Sequence, residues 1–212
     1  MDHMSIDVAT PGTLEDQLVL DGTTADTLFL QARTASTFAD DEVTDETLQA
    51  IYALTRMGPT AMNIQPLRIT WVRSAEARER LAAHMYDNNK PKTLAAPMTA
   101  ILSFDGDWHE LLATVFPPGA ARKTMFDENE AIRTTMGSNN GHLQAGYFIL
   151  AARAAGLAAG PMTGFDAAGV DADFHAESGY TSFMVVNLGK PSTAAGHPRL
   201  PRLEYDAATD TV

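Results

Sequence analysis

The longest helical pattern in the sequence runs from Ala131 to Gly156, and any fold must find room for it. Leu143, Tyr147, Leu150 and Ala154 recur at i, i+4, i+7 and i+11, the spacing of one helix face. Phe148 and Ile149 add apolar surface beside that stripe, so the pattern predicts a helix enclosed on most sides. Gly156 supplies a C-terminal stop. Such a helix needs layers around it. A chain of 212 residues, 45% apolar and 20% charged, can build one substantial core.

Other elements are shorter. Thr23 to Arg33 reads as a helix, with Leu28, Phe29 and Ala32 at helical spacing. Thr44 is a plausible N-cap before Asp45-Glu46, and Gly58-Pro59 end the helix it opens. "RITWVR" (68–73), "MTAILSF" (98–104) and "SFMVVNLG" (182–189) read as strands. Ser74 caps a helix to about His84, and "YDNNKPK" is a polar loop. Trp108 to Phe116 reads as a short helix ended by Pro117-Pro118-Gly119, and "GPMTGFD" (160–166) as a glycine-bounded loop. Helices and strands are not regularly interleaved, which predicts an α+β fold. No Ser/Gly-rich or Pro-rich linker divides the chain, so we expect an N-terminal arm over 1–22 and a single domain over 23–212.

Composition removes several chemistries. There is no cysteine, hence no disulfide, thiolate nucleophile, Cys-ligated zinc or iron–sulfur cluster. The six histidines form no HxH or HExxH pattern, so no metal site is expected. GxGxxG, GxxxxGK[ST] and GxSxG are absent. The net charge of −12 opposes nucleic-acid binding and requires local cations around any phosphate ligand. No stretch predicts a membrane span or a secretory leader, and a cytoplasmic protein is expected. Met4 is a possible native start behind Met1-Asp2-His3.

Four segments stand out together: "ARTASTF" (32–38), "GPTAMNIQP" (58–66), "GPMTGFD" (160–166) and "HPRLPRL" (197–203). Each has an ordinary reading. Arg33 can cap helix-end carbonyls. The second segment can be a helix stop with an Asn turn. The third can be a helix-to-strand loop, and the last a strand end in extended proline geometry. In this order and spacing they resemble the flavin-dependent nitroreductase family, over about 28–205. The branch containing malonic semialdehyde reductase of pyrimidine degradation looks closest.

That resemblance implies an α+β fold, a central mostly antiparallel sheet flanked by helices, and FMN held in a homodimer. Arg33 and Thr34 match the family's phosphate-binding pair, and Ser36 replaces a frequent second basic residue. Arg199 matches a C-terminal phosphate arginine, with His197 where relatives often have lysine. A guanidinium fork suits a phosphate, and two suit a dianion better than one. Pro59, Thr60, Ala61, Met62 and Asn63 match a segment facing the flavin ring and ribityl chain, and Ala61 replaces a serine. Asn89 and Lys92 match an amide and a lysine at the pyrimidine edge, where donors stabilise the negative charge gained on reduction. A solvated polar loop is their ordinary reading and accounts for them nearly as well. Pro161, Met162, Thr163 and Gly164 match the segment beside flavin N5, with Thr163 where Glu is commoner.

The implied activity is FMN-dependent oxidation of NADH or NADPH with reduction of a second substrate by ping-pong kinetics. No protein nucleophile is needed, because the flavin carries the hydride. Malonic semialdehyde, reduced to 3-hydroxypropanoate, is the first substrate choice. A nitroaromatic or quinone reductase, or a flavin-binding protein without turnover, are the alternatives.

Overall fold

The computed structural model describes residues 18–192 and 198–212. These belong to two compact units, one holding residues 18–33 with 198–212 and the other 34–192.

The larger unit is built on a four-stranded sheet. Strands β1 (Leu67–Val72), β2 (Met98–Phe104), β3 (Ala158–Met162) and β4 (Thr181–Gly189) lie in the order β1-β2-β4-β3. All three pairings are antiparallel, as expected, and the β2–β4 register shifts at Leu102/Ser103. The free edge of β3 is partly covered: Thr34 bridges Ala159, and the Ala35 N–H donates to the Ala159 carbonyl at 2.9 Å. Covering an edge in this way blocks pairing with another chain.

Strand β2 is buried throughout, because the sheet is covered on both faces. Met98, Ala100 and Leu102 join Val186 and Leu188 in one apolar cluster. Helix α2 (Asp45–Thr55) supplies Ile51 to it, and helix α7 (Glu130–Ala154) supplies Phe148. Ile101 and Val185 enter a second cluster. There they meet Leu81 of α3 (Ala75–His84) and Val170 of α8 (Ala167–Phe174). The period-2 alternation of the strands thus feeds two cores.

Capping follows the sequence. Thr44 accepts from the Thr47 N–H, Ser74 from the Ala77 N–H, and Asp166 from the Gly169 N–H. Gly156 has φ +75°, and Leu157 N–H donates across it to the Ala152 carbonyl, closing α7.

Several sequence expectations need correction. Leu143 and Tyr147 of α7 are exposed, whereas Gly137, Asn140, Gly141, Gln144, Ala145, Phe148, Ala151 and Ala152 are buried. Small residues face inward because the ring neighbours lie so close. A Cβ on Gly137 would come within 2.9 Å of the Phe104 ring. "YDNNKPK" is not all loop: Lys90–Ala95 forms helix α4, with Pro91 in its first turn, where a missing N–H costs nothing. "GPMTGFD" begins inside β3, so the loop proper starts at Thr163. Trp108–Leu111 is a 3₁₀ turn leading into α5 (Leu112–Val115). Pro117–Arg122 continues as 3₁₀ turns before α6 (Lys123–Asp127).

In the smaller unit, α1 (Gly22–Ala25) is capped by Asp21 and continues as a π-helical turn over Asp26–Leu30, stopping short of Arg33. Tyr205–Ala208 forms the short helix α9. No helix among the described residues is long and apolar enough to cross a membrane.

Candidate functional site

The corner between α2 and β1 departs furthest from ordinary backbone geometry. Met62, Asn63 and Gln65 have φ of 51°, 54° and 42°. Among the described residues no other non-glycine position has positive φ. Asn tolerates this region, but methionine and glutamine adopt it at a cost of about 1–2 kcal/mol each. Surrounding contacts must hold them there.

Those contacts come from the chain on both sides. The Ala61 N–H donates to Asn140 Oδ1 at 2.8 Å, and Asn140 is fixed in turn by its own bond to the Met136 carbonyl. Gln144, one turn further along α7, accepts from the Leu67 N–H at 3.0 Å. Thr60 Oγ1 accepts from the Gln65 N–H at 3.2 Å. Asn63 donates to the Val115 carbonyl at 2.7 Å and accepts from Gln65 Nε2 at 3.1 Å. The Asn63 amide is therefore engaged by protein groups. Beneath the corner, Ile64 packs with Trp108, Leu112 and Phe126, and Met62 lies against that cluster.

A second group forms where α4 meets the end of β3. Asn89 Nδ2 donates to the Gly164 carbonyl at 3.0 Å, and Lys92 Nζ lies 3.4 Å from Asn89 Oδ1. The Tyr86 N–H also donates to the Gly164 carbonyl. That carbonyl is satisfied, while the N–H groups of Thr163 and Gly164 have no acceptor among the described residues. A Cβ on Gly164 would lie 2.8 Å from Asn89 Nδ2, so the position requires glycine. Gly160 is tighter still, because its Cβ would lie 2.4 Å from the Ala35 carbonyl oxygen. Met162 Sδ is 4.0 Å from Asn187 Nδ2, and Pro161 pairs with Val186 in the sheet.

In the smaller unit two arginines converge on one helix end. Arg33 donates to the carbonyls of Leu30 (3.2 Å) and Ala32 (3.0 Å). Arg199 donates to those same two carbonyls, at 2.5 and 3.1 Å, and to that of Phe29. Both guanidiniums thus gather at the C-terminal end of the π turn, the end that favours cations. Desolvation, then the positive charges of Arg33 and Arg202, hold the Arg199 guanidinium below its ordinary pKa. No carboxylate pairs with any of the three among the described residues. His197 lies outside the described residues.

The expected residues therefore fall into three groups: the corner at 59–63, the Asn89/Lys92/Gly164 cluster, and the Arg33/Arg199 pair. Thr34 stands apart from these as the bridge to β3. Asn140 and Gln144 were not anticipated. Their signal is two polar residues four apart on the long helix, beside Gly137 and Gly141.

Comparison with known proteins adds a family. The sequence model described as "Nitroreductase family" matches residues 30–190. A Streptomyces coelicolor protein provisionally named an NADH dehydrogenase/NAD(P)H nitroreductase is 54% identical over 195 residues, covering 92% of this chain and 99% of its own. A Leptothrix cholodnii protein of the same provisional name is 47% identical over 189 residues, covering 89% and 96%. Among solved structures, a provisionally named Bacillus subtilis nitroreductase superposes with TM-score 0.75 at 24% identity, over 86% of this chain and 95% of its own. One from Exiguobacterium sibiricum, solved in complex with FMN, gives 0.73 at 18% identity, over 92% and 98%. These two structural likenesses speak to the fold.

Proposed function

Because this chain belongs to the nitroreductase family, we propose that it is an FMN-dependent NAD(P)H oxidoreductase. The observation that carries this reading is the corner at 60–65. Met62 and Gln65 are held there in left-handed backbone that their side chains disfavour. Strain of this kind collects where a chain is shaped for a ligand.

The donors fit FMN. In the smaller unit, Arg33 and Arg199 offer guanidiniums suited to a phosphate, each donating to neutral carbonyls among the described residues. The backbone of Thr60 to Asn63 would face the ring. The N–H groups of Thr163 and Gly164, without an acceptor among the described residues, are available to a ring nitrogen, and Gly164 allows close approach. Lys92 and Asn89 would stabilise negative charge gained on reduction. Bound to these residues, FMN would supply hydride-transfer chemistry between NADH or NADPH and an oxidised substrate. The protein orients both reactants and fixes donors where charge develops.

A small aldehyde such as malonic semialdehyde is the substrate we favour, on the branch resemblance. A nitroaromatic or quinone is the second choice, the nitroaromatic supported by the nitroreductase names of the relatives. We also propose a homodimer. Tyr52, Leu54 and Met57 near α2, and Leu143 and Tyr147 of α7, leave apolar side chains exposed on two helices that touch each other. Sedimentation at several concentrations checks this, and a monomer throughout contradicts it.

Purified protein should be yellow and release FMN on denaturation. Steady-state turnover with NADH and NADPH against malonic semialdehyde, a quinone and a nitroaromatic then tests the reaction. Bound FMN that neither nucleotide reduces would sink the enzyme reading.

A further inference from the structure

We infer that Arg122 is the residue that selects substrates carrying a carboxylate. This rests on the FMN reading above and extends it to a substrate class.

Two adjacent cations at the start of α6 are treated differently by the fold. Lys123 Nζ lies 2.8 Å from Glu110 Oε1 and 2.9 Å from Asp127 Oδ1. His109 Nε2 also lies 2.9 Å from Asp127 Oδ1. These bonds raise the pKa of Lys123 and lower that of Asp127. His109, Glu110 and Asp127 are grouped closely enough to suggest a metal site, but the ammonium already occupies their carboxylates.

Arg122 has no such partner. Its Nη1 reaches Met62 Sδ at 3.7 Å, a weak acceptor, and it forms no ion pair among the described residues. Arg68 ends on Asp105, Arg80 on Asp173 and Arg78 on the Ala96 and Pro97 carbonyls. Exposed Arg56, at the end of α2, shares the lack of a strong acceptor among the described residues, but of the two only Arg122 bonds to Met62. Arg122 is exposed, and it is held beside the left-handed Met62 of the proposed flavin wall.

The chain as a whole repels small acids, with a net charge of −12. Turnover of an anionic substrate then needs a cation near the reacting ring that is not already consumed. Arg122 meets that requirement. Its planar fork also matches a carboxylate with two parallel hydrogen bonds. The local acids cannot compete for it, because Lys123 takes them. The nucleotide's phosphates are the other anions that could reach this position, and the test separates them.

The test measures kcat/KM for malonic semialdehyde and for its neutral methyl ester, using FMN-loaded wild type, Arg122→Gln and Arg122→Lys. The acid-to-ester ratio should fall about tenfold in Arg122→Gln, the scale of one charged hydrogen bond, and partly recover in Arg122→Lys. Calorimetric titration with 3-hydroxypropanoate, without turnover, should show the same ranking. Arg122→Lys and a circular-dichroism spectrum guard against misfolding of the Gln variant. An unchanged ratio with unchanged binding overturns the inference. So does a raised KM for NADPH with the ratio intact, which would assign Arg122 to a nucleotide phosphate. A wild type that reduces a quinone but neither binds nor reduces the acid overturns it while leaving the FMN reading standing. Protein that never takes FMN defeats that reading instead, and the calorimetric ranking still decides Arg122.

Discussion

Strand β2 and the corner at 60–65 are built by opposite means. In β2 every residue is buried, and the apolar pattern alone explains its place between two cores. In the corner, backbone N–H groups donating to Asn140 and Thr60 hold backbone that its own residues disfavour. Stability resides in the first region. The second uses some of that stability to keep a shape, as the proposed FMN wall requires.

The largest effect should come from breaking the regular side. Phe148→Ala, at a fully buried position in α7, is expected to cost about 4 kcal/mol in urea unfolding. FMN affinity of the folded fraction should change little. Gly160→Ala is expected to cost about 3 kcal/mol, because the new Cβ strikes the Ala35 carbonyl oxygen. The same unfolding experiment measures it.

Changes at the corner should separate stability from binding. Asn140→Ala leaves the Ala61 N–H without its acceptor and should cost about 2 kcal/mol. Met62→Gly removes left-handed strain but adds freedom to the unfolded chain, so stability should stay within about 1 kcal/mol of wild type. FMN affinity should nevertheless fall, because the wall is no longer pre-set. A Met62→Gly protein that loses stability as heavily as Phe148→Ala would erase the contrast between the two regions.

The smallest effect is a pH dependence. Asp127 is held below the usual carboxylate range by Lys123 first, then by His109. A depressed carboxyl stabilises the fold above its unfolded pKa, near 4, and that contribution is lost as pH falls through the folded value. Acid titration of stability should therefore be slightly shallower in Asp127→Asn, and more so at low salt, since the pair is solvent-screened.

Much of the sheet was legible in the sequence because it is local. Short apolar runs placed β2 and β4, and Thr44 and Ser74 marked their helices through caps within three residues. The α7 stripe misled because apolar spacing was read as burial. The face toward the sheet is instead built of glycine, alanine and two amides that permit close approach. Pro91 looked like a loop signal but opens a helix. At the site, Gly164 and the crowding of 58–66 were visible as unusual composition. The positive φ of Met62 and Gln65 was not, because it is imposed by Asn140, 79 positions from Ala61 in sequence, and by Thr60. Arg122 left no mark in the sequence either. Its significance lies in what Lys123 takes from its neighbours.

The central claim is that the strained corner is a preformed wall for FMN. Fluorescence titration of FMN against apo wild type and apo Asn140→Ala tests it most directly. The account predicts tight binding to wild type and at least about tenfold weaker binding to a folded Asn140→Ala protein, the equivalent of one lost hydrogen bond's worth of preorganisation. Equal affinity in the two proteins, or no FMN binding by wild type, would contradict it.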